Sequence, residues 1–304
     1  NRKIIVFGAA GFIGTYLIDE LIRKNYQVTA SDINDIGKIY YRNHNIPYVS
    51  IDITNKNNFK KIPKNKYDVA VHLAALQPAN VSAKNYNPAD YIHVNVTGTL
   101  NILEFCRSNG VGKIIYASSH RNTQGLWAKK RAIREEDGRA HRYDGEYAMF
   151  SISESCAQDC VEYYQLQHDL KSIIFRLPPV YGYGPHTEIF KNGKPIVTGF
   201  QTFIERAMAC EPLEMWGDNS VGRDIIYVKD VVSAFIKAIT NDKVHGLFNI
   251  ASGKYLTLRE QVETSARIFW GDNTKPIIVK LPEKEHGMDS FLYDISKAKK
   301  ILNW

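Results

Sequence analysis

The residues with the clearest chemical meaning come early in the chain. Gly8-Ala9-Ala10-Gly11-Phe12-Ile13-Gly14 sets three glycines at three-residue intervals. They lie between an apolar run, Ile4-Ile5-Val6-Phe7, and an amphipathic stretch from Phe12 to Arg23. Read as strand, tight turn and helix, this arrangement cradles phosphate. Gly8 permits the turn, Gly11 lets the backbone approach a pyrophosphate, and Gly14 lets helix and strand pack closely. The free N–H groups and partial positive charge of the helix start then face the phosphates. A strand-to-helix turn with no ligand could use the same glycines, so a second feature is needed. Asp32 supplies it, eighteen residues after Gly14 and just beyond the run Val28-Thr29-Ala30. A carboxylate there accepts hydrogen bonds from ribose hydroxyls and repels a 2′-phosphate. No arginine occupies Ile33, Asn34, Asp35 or Ile36, so NAD is expected rather than NADP. Asp52 follows Tyr48-Val49-Ser50-Ile51. It reads equally as an adenine contact or as a residue at a helix start.

Further apolar runs recur at Val69-Ala70-Val71-His72-Leu73, Lys113-Ile114-Ile115-Tyr116-Ala117 and Ser172-Ile173-Ile174-Phe175-Arg176. Helical stretches separate them: Asn95 to Ser108, closed by Asn109-Gly110, and a long one from Glu146 to His168. Strands apolar throughout and alternating with helices predict a parallel sheet covered on both faces. The fold class is therefore α/β, a doubly wound parallel sheet of Rossmann type, with a smaller C-terminal mixed α/β substrate region. After Arg176 the rhythm changes to a proline- and glycine-rich segment with one helix around Thr202 to Cys210. Residues 228–250 return to a helix and a strand, Leu247-Phe248-Asn249-Ile250. The expected division is residues 1–176 plus about 223–250 for the dinucleotide, and about 177–222 plus 251–304 for the substrate.

The 304 residues, 44% hydrophobic and 23% charged, suit an ordinary globular protein with a sizeable core. The net charge of +7 is scattered in short clusters such as Lys60-Lys61 and Lys129-Lys130-Arg131. It reads as a solvated basic surface, and no zinc-finger spacing or aromatic RNA-binding motif argues for nucleic acid. Cys156 and Cys160 stand one helical turn apart. With no matching pair nearby they read as two buried thiols rather than half a metal site, so no metal is expected. Cys106 and Cys210 are isolated, and a reduced, cytoplasmic setting fits. Arg2-Lys3 before Ile4 to Ile18 mimics a secretory signal, but glycines interrupt that run and Asp19-Glu20 follow it. No apolar run is long enough to span a bilayer, so no membrane partner is expected.

The Gly-x-x-Gly-x-x-Gly spacing resembles the extended short-chain dehydrogenase/reductase superfamily, and further segments match it in order. Asp68 to Ala75, Asn95-Val96-Thr97-Gly98-Thr99, and Tyr116-Ala117-Ser118-Ser119 look like its successive signatures. Arg176-Leu177-Pro178-Pro179-Val180-Tyr181-Gly182 and Arg223 to Val231 resemble segments of nucleotide-sugar epimerases and dehydratases. Phe248 to Gly253 and Asp294 to Ala298 match as well. The resemblance implies an NAD-dependent nucleotide-sugar epimerase-like enzyme that moves a hydride at a sugar carbon. A dehydrogenase or reductase of a sugar, sugar acid or other carbonyl compound stays open, as does a catalytically impaired NAD-binding protein. Tyr147 would be the general acid/base, and Ser119 would hydrogen-bond the reacting oxygen. Cofactor contacts would come from Gly8, Gly11, Phe12, Ile13, Gly14, Asp32, Asp52, Ile53, Leu73, Ala74, Ala75, Asn95, Ala117, Ser118, Tyr147, Pro178 and Val180. Substrate contacts would come from Ser119, His120, Pro179 and Arg223, with Arg223 as the candidate for a diphosphate. A salt bridge to Asp224 or Asp230 is the competing role for Arg223. The paired long helices imply a homodimer.

The sequence departs from that family in places. Its pattern is Tyr-x-x-x-Lys, whereas Tyr147-Ala148-Met149-Phe150-Ser151 puts serine where lysine stands. Ser151 can offer a hydrogen bond but no charge. Lys129, Lys130 or His120 could supply the missing cation. His120-Arg121 after Ser119 lacks the acidic group of the 4,6-dehydratases, which disfavours that chemistry, and Pro179 replaces a substrate-touching asparagine. The charged loop from Gln124 to Tyr143 either borders the pocket or runs through solvent. His186 reads either as a pocket residue or as a surface one.

Overall fold

The structure is a computed structural model. It describes every residue except 1, 34, 65, 79–86, 130, 146, 185–187, 192–193, 198, 272–276 and 285–288. His186 and Lys130, both named above, lie outside the described residues. Six strands alternate with helices along the first half: β1 (Lys3–Phe7), β2 (Gln27–Asp32), β3 (Tyr48–Ser50), β4 (Val69–His72), β5 (Lys113–Ser119) and β6 (Lys171–Leu177). With Gly246–Asn249 they form one seven-stranded sheet. Its order is Gly246–Asn249, β6, β5, β4, β1, β2, β3, and every pairing is parallel. The chain thus runs outward from β1 in one direction and then returns to build outward from β4 in the other. The carboxyl ends of β1 and β4 flank the point where the order reverses, which is where open α/β sheets bind ligands.

Side chains alternate across the sheet as the strand period requires. Ile4 and Val6 enter one core with Leu17, Ile18, Leu21 and Phe235, while Ile5 and Phe7 enter the other with Ile102, Leu103, Ala157 and Val161. Helix α1 (Phe12–Arg23) buries Gly14, Leu17, Ile18 and Leu21. That spacing of three, four and seven is one helical face. Helix α2 (Ile36–Asn43) precedes β3. The helix expected from Asn95 starts earlier, as α3 (Pro88–Tyr91), passes through a π-helical turn at Ile92–Thr97 and continues as α4 (Gly98–Ser108). Proline at its first position and the Asn87 cap set the start: Asn87 Oδ1 accepts from Ala89 N–H at 3.1 Å.

Helix α5 (Ala148–His168) buries an unusually polar face, including Ser151, Ser153, Glu154, Ser155 and Gln158. These polar groups meet polar groups on and after β5. Ser118 Oγ donates to Gln158 Oε1 at 2.9 Å, Asn122 Nδ2 donates to Ser118 Oγ at 3.0 Å, and Tyr116 donates to Glu154 Oε2 at 3.1 Å. Cys156 is exposed and Cys160 half-buried. They are therefore not the buried thiol pair expected, because the neighbouring face of α5 turns toward β5 instead. Among the described residues no cluster of His, Cys, Asp or Glu could hold a metal, and no helix is long and apolar enough to cross a membrane.

Beyond β6 a second, smaller core forms. Helices Gly199–Met208 and Leu258–Trp270 pack with the parallel strands Leu213–Trp216 and Ile278–Leu281 around Ala207, Leu213, Met215, Val262 and Ala266. The Gln124–Tyr143 loop is no solvated excursion. It buries Trp127 and Ile133 against Phe291 and Tyr293, because its apolar residues find that patch among its charged ones.

Burial lifts the Glu154 carboxyl to about 7, with the Tyr116 hydrogen bond only partly opposing it. Between its ordinary pKa of ~4.3 and that value, the folded protein holds a proton that the unfolded chain releases. Stability contributed by the protonated form is thus lost as pH rises through that window. Glu154→Gln is expected to be more stable than the parent at pH 8, by on the order of 1–3 kcal/mol, and nearly equal at about pH 4.5. Urea titration of both proteins at the two pH values checks this; a pH-independent difference would contradict it.

Candidate active site

The carboxyl ends of β1, β2, β4 and β5 bring the chemical residues to one edge of the sheet. Gly8 has φ +83°. A Cβ there would stand 2.6 Å from the Ala74 nitrogen and 2.7 Å from the Leu73 carbonyl carbon. The glycine turn is therefore pressed against the backbone that follows β4, and Leu73 N–H donates to Phe7 O at 2.9 Å. A Cβ on Gly14 would overlap the Gly8 carbonyl oxygen and come within 2.7 Å of Ala9 O. These two glycines are demanded by close approach, and that approach seats the start of α1 at the edge. Gly11 caps α1 without a side-chain hydrogen bond, and no acidic residue occupies the first turn. Phe12 and Ile13 open the helix, half-buried. The Phe12 ring packs beneath Gly182 and Gly184, where a Cβ at either position would strike it.

Asp32 ends β2 and braces the turn. Its Oδ2 accepts from Ala10 N–H at 2.9 Å, and its Oδ1 from Ile33 N–H at 2.8 Å. The Asp52 Oδ1 accepts from Thr54 N–H and Oγ1 at 2.9 and 2.7 Å, a local turn closure. Ile53 is buried with its side chain beneath Gly98. Asn95 is almost fully buried. It accepts from Leu76 N–H at 2.7 Å and donates to Leu76 O and Ser153 Oγ at 3.1 and 3.0 Å. It thereby ties the segment carrying Leu73, Ala74 and Ala75 to α5. Pro178, Pro179 and Val180 follow β6, with Pro179 O accepting from Ile226 N–H at 3.1 Å.

Ala117, Ser118 and Ser119 form the end of β5. Ser118 spends its hydroxyl on Gln158 and Asn122, whereas Ser119 is half-buried and accepts from Arg121 N–H at 3.2 Å. Tyr147 sits at the cap of α5, and Ser151 N–H donates to its carbonyl at 2.9 Å. The Ser151 hydroxyl is covered by protein atoms and has no hydrogen-bond partner among the described residues. Lys129 is exposed, and His120 brings no charge to Tyr147. The His120 imidazole stacks on Trp127 and Phe291. Burial and the charges of Arg121 and Arg223 hold its pKa well below the usual range, so it is neutral.

The cation at Tyr147 is Arg121. Its Cζ lies 3.9 Å from the Tyr147 ring centroid and 5.3 Å from that of Trp127. In the sequence Arg121 is marked only as a non-acidic residue beside His120. Its place two residues after Ser119 was the available signal. Arg223 lies near it, on the short strand Gly222–Arg223. Burial, then the charge of Arg121, lowers the Arg223 pKa to about 10, with Asp289 opposing. Asp224 is not free for an ion pair with it: its oxygens accept from Ser252, Gly253 and Tyr293.

The model of the NAD dependent epimerase/dehydratase family matches residues 4–251. This chain belongs to that family. It is 30% identical, over 100% of its length and 92% of the relative's, to a UDP-N-acetyl-alpha-D-glucosaminuronate decarboxylase of Bacillus cytotoxicus. It is 28% identical, over 99% of its length and 90% of the relative's, to a UDP-glucuronate 4-epimerase of Thermodesulfobacterium geofontis. Among solved structures it resembles the UDP-glucose 4-epimerase of Thermotoga maritima with UDP-glucose. There the TM-score is 0.80 and the identity 26%, covering 100% of this chain and 93% of that one.

The residues present fit the family's NAD. The edge offers a side-chain-free cradle at Gly8, Gly11 and Gly14, an uncapped helix start, and a carboxylate at Asp32. Asp32→Ala is expected to weaken NAD binding at least about tenfold and NADP binding less, since only NADP meets repulsion from the carboxylate. Calorimetric titration with both cofactors checks this. An equal loss for both would remove Asp32 from the ribose.

Proposed function

We propose that this member of the family is an NAD-dependent nucleotide-sugar epimerase that works through Tyr147 and Ser119. The observation that carries the reading is a single edge of the sheet. It gathers the glycine turn, Asp32 and Ser119, and the capping position of α5 sets Tyr147 with Arg121 on its ring. Relatives named for UDP-sugars support the substrate class. NAD, when bound, accepts and returns a hydride. Ser119 hydrogen-bonds the reacting sugar oxygen, and Tyr147 takes its proton and later gives it back. Arg223 holds a phosphate oxygen of the diphosphate with its guanidinium fork.

Ser151 stands, in this reading, where the family pattern carries lysine. Its covered hydroxyl leaves the positive charge to Arg121, which stabilises negative charge developing on the phenol oxygen. A homodimer through α4 and α5 is also proposed, by the family resemblance of these helices. Sedimentation equilibrium at twice the chain mass is the expected result.

Incubation with NAD and either UDP-glucose or UDP-glucuronate, followed by sugar analysis and absorbance of NADH, tests the function, and turnover of either sugar supports it. Epimers are expected to interconvert without net NADH. Stoichiometric NADH would make the protein a dehydrogenase instead. Tyr147→Phe is expected to lower kcat at least about 100-fold while NAD still binds. A Tyr147→Phe protein with parental kcat would remove Tyr147 from the chemistry.

A further inference from the structure

Two guanidinium groups share one largely buried space at the reacting end of this site. Arg121 is only 7% exposed. Its electrostatic surroundings among the described residues are burial and the Tyr147 ring, with no carboxylate against it. Arg223 is close enough to feel its charge. On the Arg223 side Asp289 supplies an opposite charge and Asp224 serves the Ser252–Gly253 and Tyr293 backbone, while beside Arg121 the neutral His120 contributes no charge of its own. A buried cation without a counter-charge is costly, so such an arrangement suits a site completed by an anion. A nucleotide sugar brings a diphosphate, which one arginine can hold. That leaves the second arginine, Arg121 against the general acid/base, without a counter-charge among the described residues.

We propose that Arg121 binds a carboxylate on the sugar itself, so that the preferred substrate is a nucleotide-linked uronic acid rather than a neutral sugar. The inference rests on the nucleotide-sugar reading above. Position decides between the two anions. Arg121 packs on the Tyr147 ring, so an anion on its edge lies beside the reacting hydroxyl. The diphosphate hangs from the anomeric carbon, across the sugar ring from a hydroxyl at the fourth carbon, so in this reading it falls to Arg223, the arginine not packed on Tyr147. Arginine suits the role because a guanidinium can lie against aromatic rings and still present its N–H fork to a carboxylate. A neutral hydroxymethyl group in the same place would leave the buried charge unmatched, which is how the site would reject neutral sugars.

Calorimetric titration of the NAD-loaded protein with UDP-glucuronate and with UDP-glucose tests the proposal. UDP-glucuronate is expected to bind at least about tenfold more tightly. Arg121→Met should bring the ratio of the two affinities close to one. Arg121→Lys should keep part of the preference, and Arg223→Met should weaken both sugars while preserving the ratio. NAD affinity of each variant reports that it is folded. Equal binding of the two sugars to the parent would overturn the uronate proposal and leave the nucleotide-sugar reading standing. A preference that survives Arg121→Met would also overturn it. Failure of the parent to bind either sugar or UDP would overturn both.

Discussion

Everything at this site depends on how closely the backbone after β1 can approach the backbone after β4. The two strands are neighbours in the sheet, and the chain turns into α1 directly above their ends. Only an absent side chain lets Gly8 press against Leu73 and Ala74, and only another lets Gly14 lie on the Gly8 carbonyl. With that contact the start of α1 is presented to the edge of the sheet. Without it the helix would be displaced, and the Asp32 bond to Ala10 N–H would lose its geometry.

The second constraint is the seam between β5 and α5. Helix and strand usually meet through apolar side chains. Here Ser118, Asn122 and Gln158, together with Tyr116 and Glu154, form hydrogen bonds within the seam. Directional bonds specify the position of α5 along β5 more narrowly than apolar packing does. That position sets where Tyr147, at the head of α5, stands relative to Ser119, at the end of β5. Asn95 extends the same network to the segment after β4, so the cofactor half and the reacting half of the site are bonded through α5.

The third layer is electrostatic. Residues from the smaller region, Phe291 and Arg223, meet Trp127, His120 and Arg121 from the loop after β5. The aromatic stack covers His120 and keeps it neutral, while Arg121 keeps its charge against Tyr147. One loop thus carries both a silenced base and a retained cation, and packing separates the two.

Alternation of apolar runs and helices determined the parallel sheet, and glycine spacing with Asp32 determined the cofactor edge. Both are local: strand and helix periods and a tight turn are written in neighbouring residues. Ser119 and Tyr147 are named as candidates by the family resemblance, through the order of its motifs along the chain. The sequence could not show that Arg121 stands on Tyr147, that His120 is neutral, that Asp52 closes its own turn, or that the charged loop after β5 is packed. Asp52 turns on Thr54 two residues on, Arg121 meets Tyr147 across an intervening loop, and the covering of His120 and of that loop joins residues more than a hundred positions apart, such as Trp127 with Phe291. A side chain's charge and partners are set by what covers it, and only the tertiary structure decides what covers it.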